Sequence, residues 1–298
     1  MVSGRPRVGI VLLPQERWAT QREKWRRAEE MGFDHAWTYD HLAWRTLADQ
    51  PWFATVPLLA AAAQVTSRIG LGTFVASPNF RHPVPFAKDV MGLDDVSEGR
   101  FLLGIGAGGE GFDAHVTGPA PTRGERTRRF EEFVGLLDAL LTQPVTEHAG
   151  EFYTAHDARM VPGTIAQPRT PFVVAAAGPR TMTLAARYGQ GWVTYGAAYA
   201  TEDAGGASAQ EQWWAALEQQ VAQLDAIEAA HRPAGAPLRR YLSLDGAPVF
   251  SLTSAALAAE GVERAAGLGF TDVIVHWPRA EGIYAGDERA LEEFAAGL

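Results

Sequence analysis

Apolar positions in this chain gather into short runs, and each run breaks off at a polar or glycine-rich cluster. Four of them, at 35–39, 69–75, 101–105 and 172–176, are rich in β-branched and aromatic residues and have strand length. They end at Asp40-His41, at Ala76-Ser77-Pro78, at the glycines beginning with Gly106, and at Ala177-Gly178-Pro179-Arg180. Further strands are predicted at 8–13, 191–194, 240–244 and 272–276. Between them the pattern predicts helices near 20–31, 55–66, 85–97, 123–141, 179–188, 210–231, 254–268 and 288–296. Thr20 and Glu23 fit a capping box for the first helix, and Gly32 fits its stop. Residues 145–153 read as a short hairpin turning at Ala149-Gly150, and 195–209 as a loop around Gly205-Gly206. Eight alternating strand–helix units predict parallel strands buried on both faces. The simplest closure is a (β/α)8 TIM barrel, the alternative an open doubly wound sheet. In both, ligands bind beyond the carboxyl ends of the strands, so the chemistry belongs in the breaks.

Composition narrows the picture. The 298 residues show no shift of composition between segments, which predicts one barrel domain over 1–298 with loop insertions near 106–122, 142–168 and 195–209. The net charge of −9 argues against a nucleic-acid partner. Lys24 and Lys88 are the only lysines. Cysteine is absent, which excludes disulfides, thiolate metal sites and thiol catalysis. No apolar stretch approaches the roughly 20 residues of a membrane span, and the amino terminus does not read as a signal peptide. The expectation is a cytoplasmic protein without a membrane partner.

Several breaks carry candidate chemistry. Asp40 and His41 can serve as acid, base or hydrogen-bond anchor at the end of strand two, or simply cap and pack. The run Gly104-Ile105-Gly106-Ala107-Gly108-Gly109 formally matches the dinucleotide fingerprint, but it does not open into a helix and follows the fourth strand. It reads better as a place where backbone approaches something closely. Glu110 beyond it is a pocket acid or a solvated charge. Small residues and Pro179 at a helix start favour an anion, and Arg180 adds charge; the plain alternative is a tight turn. Trp44, Trp52 and Phe53 either wall an apolar pocket or pack over the mouth, and His276 either lines the pocket or packs. No histidine–carboxylate spacing suggests a metal, and no P-loop, H-E-x-x-H or G-x-S-x-G motif occurs.

The motifs together resemble the bacterial luciferase-like flavin superfamily. The likeness rests on Ala28-Glu29-Glu30-Met31-Gly32-Phe33-Asp34 leading to Thr38-Tyr39-Asp40-His41, and on the 66–73, 81–83, 93–100 and 103–108 segments. It implies a TIM-like barrel with a flavin-type ring at its carboxyl-terminal mouth, and commonly a homodimer. Within the superfamily the chain looks most like the branch that uses coenzyme F420, a deazaflavin, with local likeness to the sugar-phosphate dehydrogenases of that branch. The resemblance implies that Asp40 and His41 sit by the reactive ring, with Glu110 as a further pocket acid. It implies that Phe74 and Val75 form a bulge with a cis peptide behind the ring. It further implies that Gly106, Ala107, Gly108, Ala175, Ala176, Ala177, Gly178, Pro179 and Tyr195 contact the cofactor. The segment Tyr195-Gly196-Ala197-Ala198-Tyr199 lacks the lysine that a sugar phosphate needs, so a small non-phosphorylated organic substrate is expected. The implied activity is hydride exchange with F420; the alternatives are an FMN-dependent monooxygenase using oxygen and a non-catalytic flavin-binding barrel.

Overall fold

Strands of four to six residues, mostly buried on both faces, cannot stand alone and close on one another here. The computed structural model describes residues 4–197, 207–232 and 238–298. The strands are β1 (Arg7–Val11), β2 (His35–Thr38), β3 (Gly70–Thr73), β4 (Phe101–Gly106), β5 (Thr146–Ala149), β6 (Thr154–Ala158), β7 (Phe172–Ala175), β8 (Gly191–Thr194), β9 (Arg239–Ser243) and β10 (Asp272–His276). Eight of them form a closed parallel barrel in the order β1-β10-β9-β8-β7-β4-β3-β2. The TIM barrel is therefore observed, and the open doubly wound sheet is not. β5 and β6 make an antiparallel hairpin outside the barrel. Its arms extend beyond the predicted hairpin because the turn lies between Ala149 and Thr154 rather than at Ala149-Gly150.

The helices are α1 (Trp18–Glu30), α2 (Thr55–Ala63), α3 (Pro83–Val96), α4 (Arg123–Thr142), α5 (Pro179–Tyr188), α6 (Ala207–His231), α7 (Ala255–Gly267) and α8 (Glu288–Ala295). α4 starts at a capping box between Thr122 and Glu125. The box expected at Thr20 and Glu23 does not form. α1 starts two residues earlier, because the amides of Thr20 and Gln21 already bond the Arg17 carbonyl at 2.9 and 3.0 Å. Of the predicted loop at 195–209, residues 198–206 lie outside the described residues.

Two apolar layers hold the barrel. The larger one packs the helices on the outside of the sheet, around residues such as Trp25, Phe86, Phe133 and Leu242. The smaller one fills the interior with Trp37, Tyr39, Trp44, Phe74, Val173, Val193, Tyr241 and Ile274. Rings this large fit because facing strand positions are bare: a Cβ at Gly72 would come within 2.3 Å of the Trp37 ring. The amino-terminal floor is polar, with Asp272 bonded to His35, Arg7, Arg239 and Thr271. The aromatic stack rises from there toward the opposite end, where the functional groups gather. No helix among the described residues is long and apolar enough to cross a membrane.

Candidate active site

A cavity of about 830 Å³ opens at the carboxyl ends of the strands, within the range that holds small molecules and cofactors. Tyr39, His41, Trp44 and Arg45 enter it from the segment after β2, and Phe74 and Val75 from the end of β3. Gly106, Ala107 and Gly108 follow β4; Ala175, Ala176 and Ala177 follow β7; Tyr195 follows β8. Asp245, Phe250, Ile283 and Tyr284 complete the wall. The Phe74–Val75 peptide is cis. Beside it, Ala76 bonds across to β4 through Gly104 and Gly106, at 2.8 and 2.9 Å. A Cβ on Gly104 would lie 1.9 Å from the Thr73 carbonyl oxygen, so the glycine run serves close backbone approach. α5 begins two residues beyond Ala177, its cap Gly178 makes no side-chain bond, and its amino-terminal dipole favours an anion at that end.

His41 is held by a residue that the sequence reading passes over. Asp113, in a 3-10 turn after the glycine run, accepts from His41 Nδ1 at 2.6 Å and from the Leu42 amide at 2.8 Å. Asp113 is buried, whereas the His41 side chain is about a quarter exposed. A carboxylate accepts only, so Nδ1 carries the hydrogen and a neutral His41 keeps its Nε2 lone pair. This is the arrangement of an oriented general base.

A second polar chain runs behind the same wall. The Tyr39 hydroxyl lies 2.8 Å from His276 Nε2 and 2.8 Å from the Tyr284 hydroxyl. His276 Nδ1 faces Asp245 Oδ2 at 2.8 Å, and the same oxygen accepts from the His276 amide at 2.7 Å. The His276 and Tyr284 rings stack with centroids 3.9 Å apart. Burial, with the Tyr284 and Tyr195 phenols and the Asp245 carboxylate near by, pushes the Tyr39 hydroxyl well above the usual phenol range.

Several expected site residues stand elsewhere. Asp40 is buried but does not line the cavity; both its oxygens accept from Arg81, each at 2.6 Å, and a buried carboxylate needs such a partner. Glu110 turns to solvent and pairs with Arg126 at 2.8 Å, leaving Asp113 as the carboxylate of that loop that lines the cavity. Arg180 is exposed and bound to Glu131, so its charge is not offered to the α5 end of the cavity. Gly178 and Pro179 are absent from the lining because they already belong to the cap and first turn of α5. The Trp52 ring packs against Tyr39 without lining the cavity, and Phe53 is exposed with its amide bonded to the Pro14 carbonyl. His276 is sealed behind Tyr39 rather than lining the cavity. Brought together at the wall are His41, Trp44, Phe74, Val75, Gly106, Ala107, Gly108, Ala175, Ala176, Ala177 and Tyr195.

Comparison with known proteins agrees with this architecture. A family model described as luciferase-like monooxygenase matches residues 3–225. An F420-dependent glucose-6-phosphate dehydrogenase of Beutenbergia cavernae is 37% identical over 169 residues, 56% of this chain and 49% of that protein. A 4-hydroxyprotoasukamycin monooxygenase of Streptomyces nodosus subsp. asukaensis is 34% identical over 175 residues, 56% of this chain and 44% of that protein. The matched stretch thus spans about half the length of these curated relatives. Among solved structures, an F420-dependent secondary alcohol dehydrogenase in complex with an F420-acetone adduct superposes with a TM-score of 0.78 at 17% identity. That match covers 99% of this chain and 98% of the other. At that identity the likeness is one of fold.

Proposed function

The chain belongs to the luciferase-like monooxygenase family, and from that premise we propose that it is a coenzyme F420-dependent oxidoreductase acting on a small, non-phosphorylated organic substrate. The observation that carries the reading is one wall where His41, oriented by Asp113, stands beside the Phe74–Val75 shelf and the small-residue edge. The residues fit a deazaflavin: the shelf and the glycine–alanine edge leave room for a flat ring, and the α5 terminus suits a phosphate. When bound, F420 supplies a ring carbon that exchanges a hydride with the substrate. His41 takes or returns the accompanying proton at Nε2. The aromatic wall of Trp44, Phe74 and Tyr39 keeps water from that exchange. Arg45 is the one arginine or lysine among the described lining residues, and it lies over the Trp44 ring, which speaks against a sugar phosphate.

Fluorescence titration with F420 and FMN tests the reading, with tighter binding of F420 expected. Tighter FMN binding, with turnover that needs reduced flavin and oxygen, would support the monooxygenase instead, a reading favoured by the Streptomyces relative. Efficient F420 reduction by glucose 6-phosphate would overturn the substrate class. We further propose a cytoplasmic homodimer, which a molar mass of about 32 kDa in solution would contradict.

A further inference from the structure

Asn79, which follows β3, also lines the cavity, and its side-chain amide can sit one way only. Arg129 on α4 donates to Asn79 Oδ1 at 2.8 Å, and Asn79 Nδ2 donates to the Gly109 carbonyl at 3.3 Å. A guanidinium cannot accept and a carbonyl cannot donate, so turning the amide over would break both bonds. The amide lies against Gly108, whose φ is +79°; a Cβ there would come within 2.6 Å of Asn79 Nδ2. Of the two Nδ2 hydrogens, the Gly109 carbonyl takes one. The second has no partner among the described residues.

The group behind that amide is costly to place there. Arg129 is partly buried, makes no ion pair among the described residues, and its Nε is buried without a hydrogen-bond partner. Arg126 on the same helix is balanced by Glu110, and Arg81, two residues beyond Asn79, by Asp40. Holding a guanidinium unbalanced in a partly buried place costs free energy that packing alone does not return. Its charge reaches the cavity through Asn79. A bond from a cation to Oδ1 draws electron density from Nδ2 and makes the remaining hydrogen a stronger donor.

We propose that Asn79 is a hydrogen-bond donor to the cofactor, with Arg129 as its positioning residue, and that it serves a neutral oxygen of the ring or of its polyol linker. The proposal rests on the oxidoreductase reading above. The phosphate has its own place at the start of α5, beyond β7, and the ring has its shelf at Phe74–Val75, beyond β3. β4 stands between β3 and β7, so Asn79 and the glycine run that it holds lie between shelf and phosphate. The acceptors that fall between a flat ring and a terminal phosphate are ring carbonyls and linker hydroxyls. A brace for the Gly108–Gly109 turn would need only the bond to Gly109; it would not need a cation behind the amide.

Fluorescence titration with F420 and with its phosphate-free deazaflavin chromophore tests this, beside the thermal midpoint of each protein without ligand. Asn79→Asp keeps the volume and makes the contact with Arg129 an ion pair, so the midpoint should hold or rise. It removes the donor, so both ligands should bind about 10-fold more weakly. Arg129→Met should weaken both by several-fold, and Arg129→Lys, which keeps a cation that can donate to Oδ1, should restore most of the loss. Unchanged affinities in Asn79→Asp would overturn the proposal and leave Asn79 a brace for the turn. A loss for F420 that is absent for the phosphate-free chromophore would overturn the assigned acceptor. Arg129→Lys binding no better than Arg129→Met would refute the role of the charge, and this pair decides the matter if Asn79→Asp does not fold. A wild type that binds FMN and not F420 would sink the cofactor reading alone. FMN and riboflavin differ by the same phosphate, and the same variants then judge Asn79 with that pair.

Discussion

Acid should loosen the barrel floor in a defined window, and Asp272 sets it. Its carboxylate is fully buried at the start of β10 and is held by His35 at 3.1 Å, Arg7 at 2.9 Å, Arg239 at 3.0 Å and Thr271 at 2.6 Å. Burial alone would raise its affinity for a proton; the bonds and charges of His35, Arg7 and Thr271 outweigh burial and bring it down from 3.8 to about 2. A depressed carboxyl contributes stability that is fully present above its unfolded value and lost as pH falls through the folded one. The window therefore runs from about pH 4 to about pH 2, and the loss is about 2 kcal/mol at 1.36 kcal/mol per unit. Buried His35 is shifted the other way from its usual partner-bound behaviour: burial lowers it, and its share of stability fades as pH falls below 6.5. Other carboxylates titrate in the same range, so the wild type must be compared with Asp272→Asn. Urea unfolding at pH 5, 4, 3 and 2.5 is the assay. Asp272→Asn should be less stable at pH 5, and the gap should narrow by about 2 kcal/mol toward pH 2. Two curves that stay parallel over that range would show that Asp272 is not held as described.

Three further substitutions separate the groups at the mouth. Asp113→Asn can satisfy the Leu42 amide only by turning its own amide toward His41, which moves the ring hydrogen to Nε2; kcat should fall about 10²-fold while F420 quenching holds. A normal kcat would remove Asp113 from the orientation of His41. Gly104→Ala places a Cβ against the Thr73 carbonyl and should cost about 3 kcal/mol or prevent folding, read as the thermal midpoint; an unshifted midpoint would contradict the close approach of β3 and β4. Glu110→Gln should leave turnover unchanged, since that side chain is 79% exposed and pairs with Arg126 rather than facing the cavity; a large loss would restore Glu110 to the site.

The fold was largely legible because strands buried on both faces leave an unmistakable trace. β8, β10 and α5 have the predicted bounds, and the other barrel strands differ by one or two residues at an end. Where the reading missed, local preference yielded to packing. Thr20 and Glu23 have capping chemistry, yet Trp18 packs against the core and draws the start of α1 ahead of them. The mouth was legible in outline for the same reason: a barrel strand's carboxyl end names its own neighbours, as at His41, Phe74, Gly106 and Ala175.

Partners distant in the chain were not legible. Asp113 and Glu110 lie three residues apart in one glycine-rich loop, and sequence offers no ground for choosing between them. The choice is made by the turn Phe112–Ala114, which points Asp113 at two donors 71 and 72 residues away while Glu110 meets α4. Asp40 shows the converse. It was conspicuous as a carboxylate beside a histidine at a strand end, but in the barrel its neighbour in space is Arg81. A charge at a strand end marks the mouth without saying which way it turns; the nearest opposite charge decides that, and in a barrel that charge comes from the next loop. The same logic hides the Asp245–His276–Tyr39–Tyr284 chain, whose four members lie on three separate loops and one strand end and meet only when β10 closes against β1.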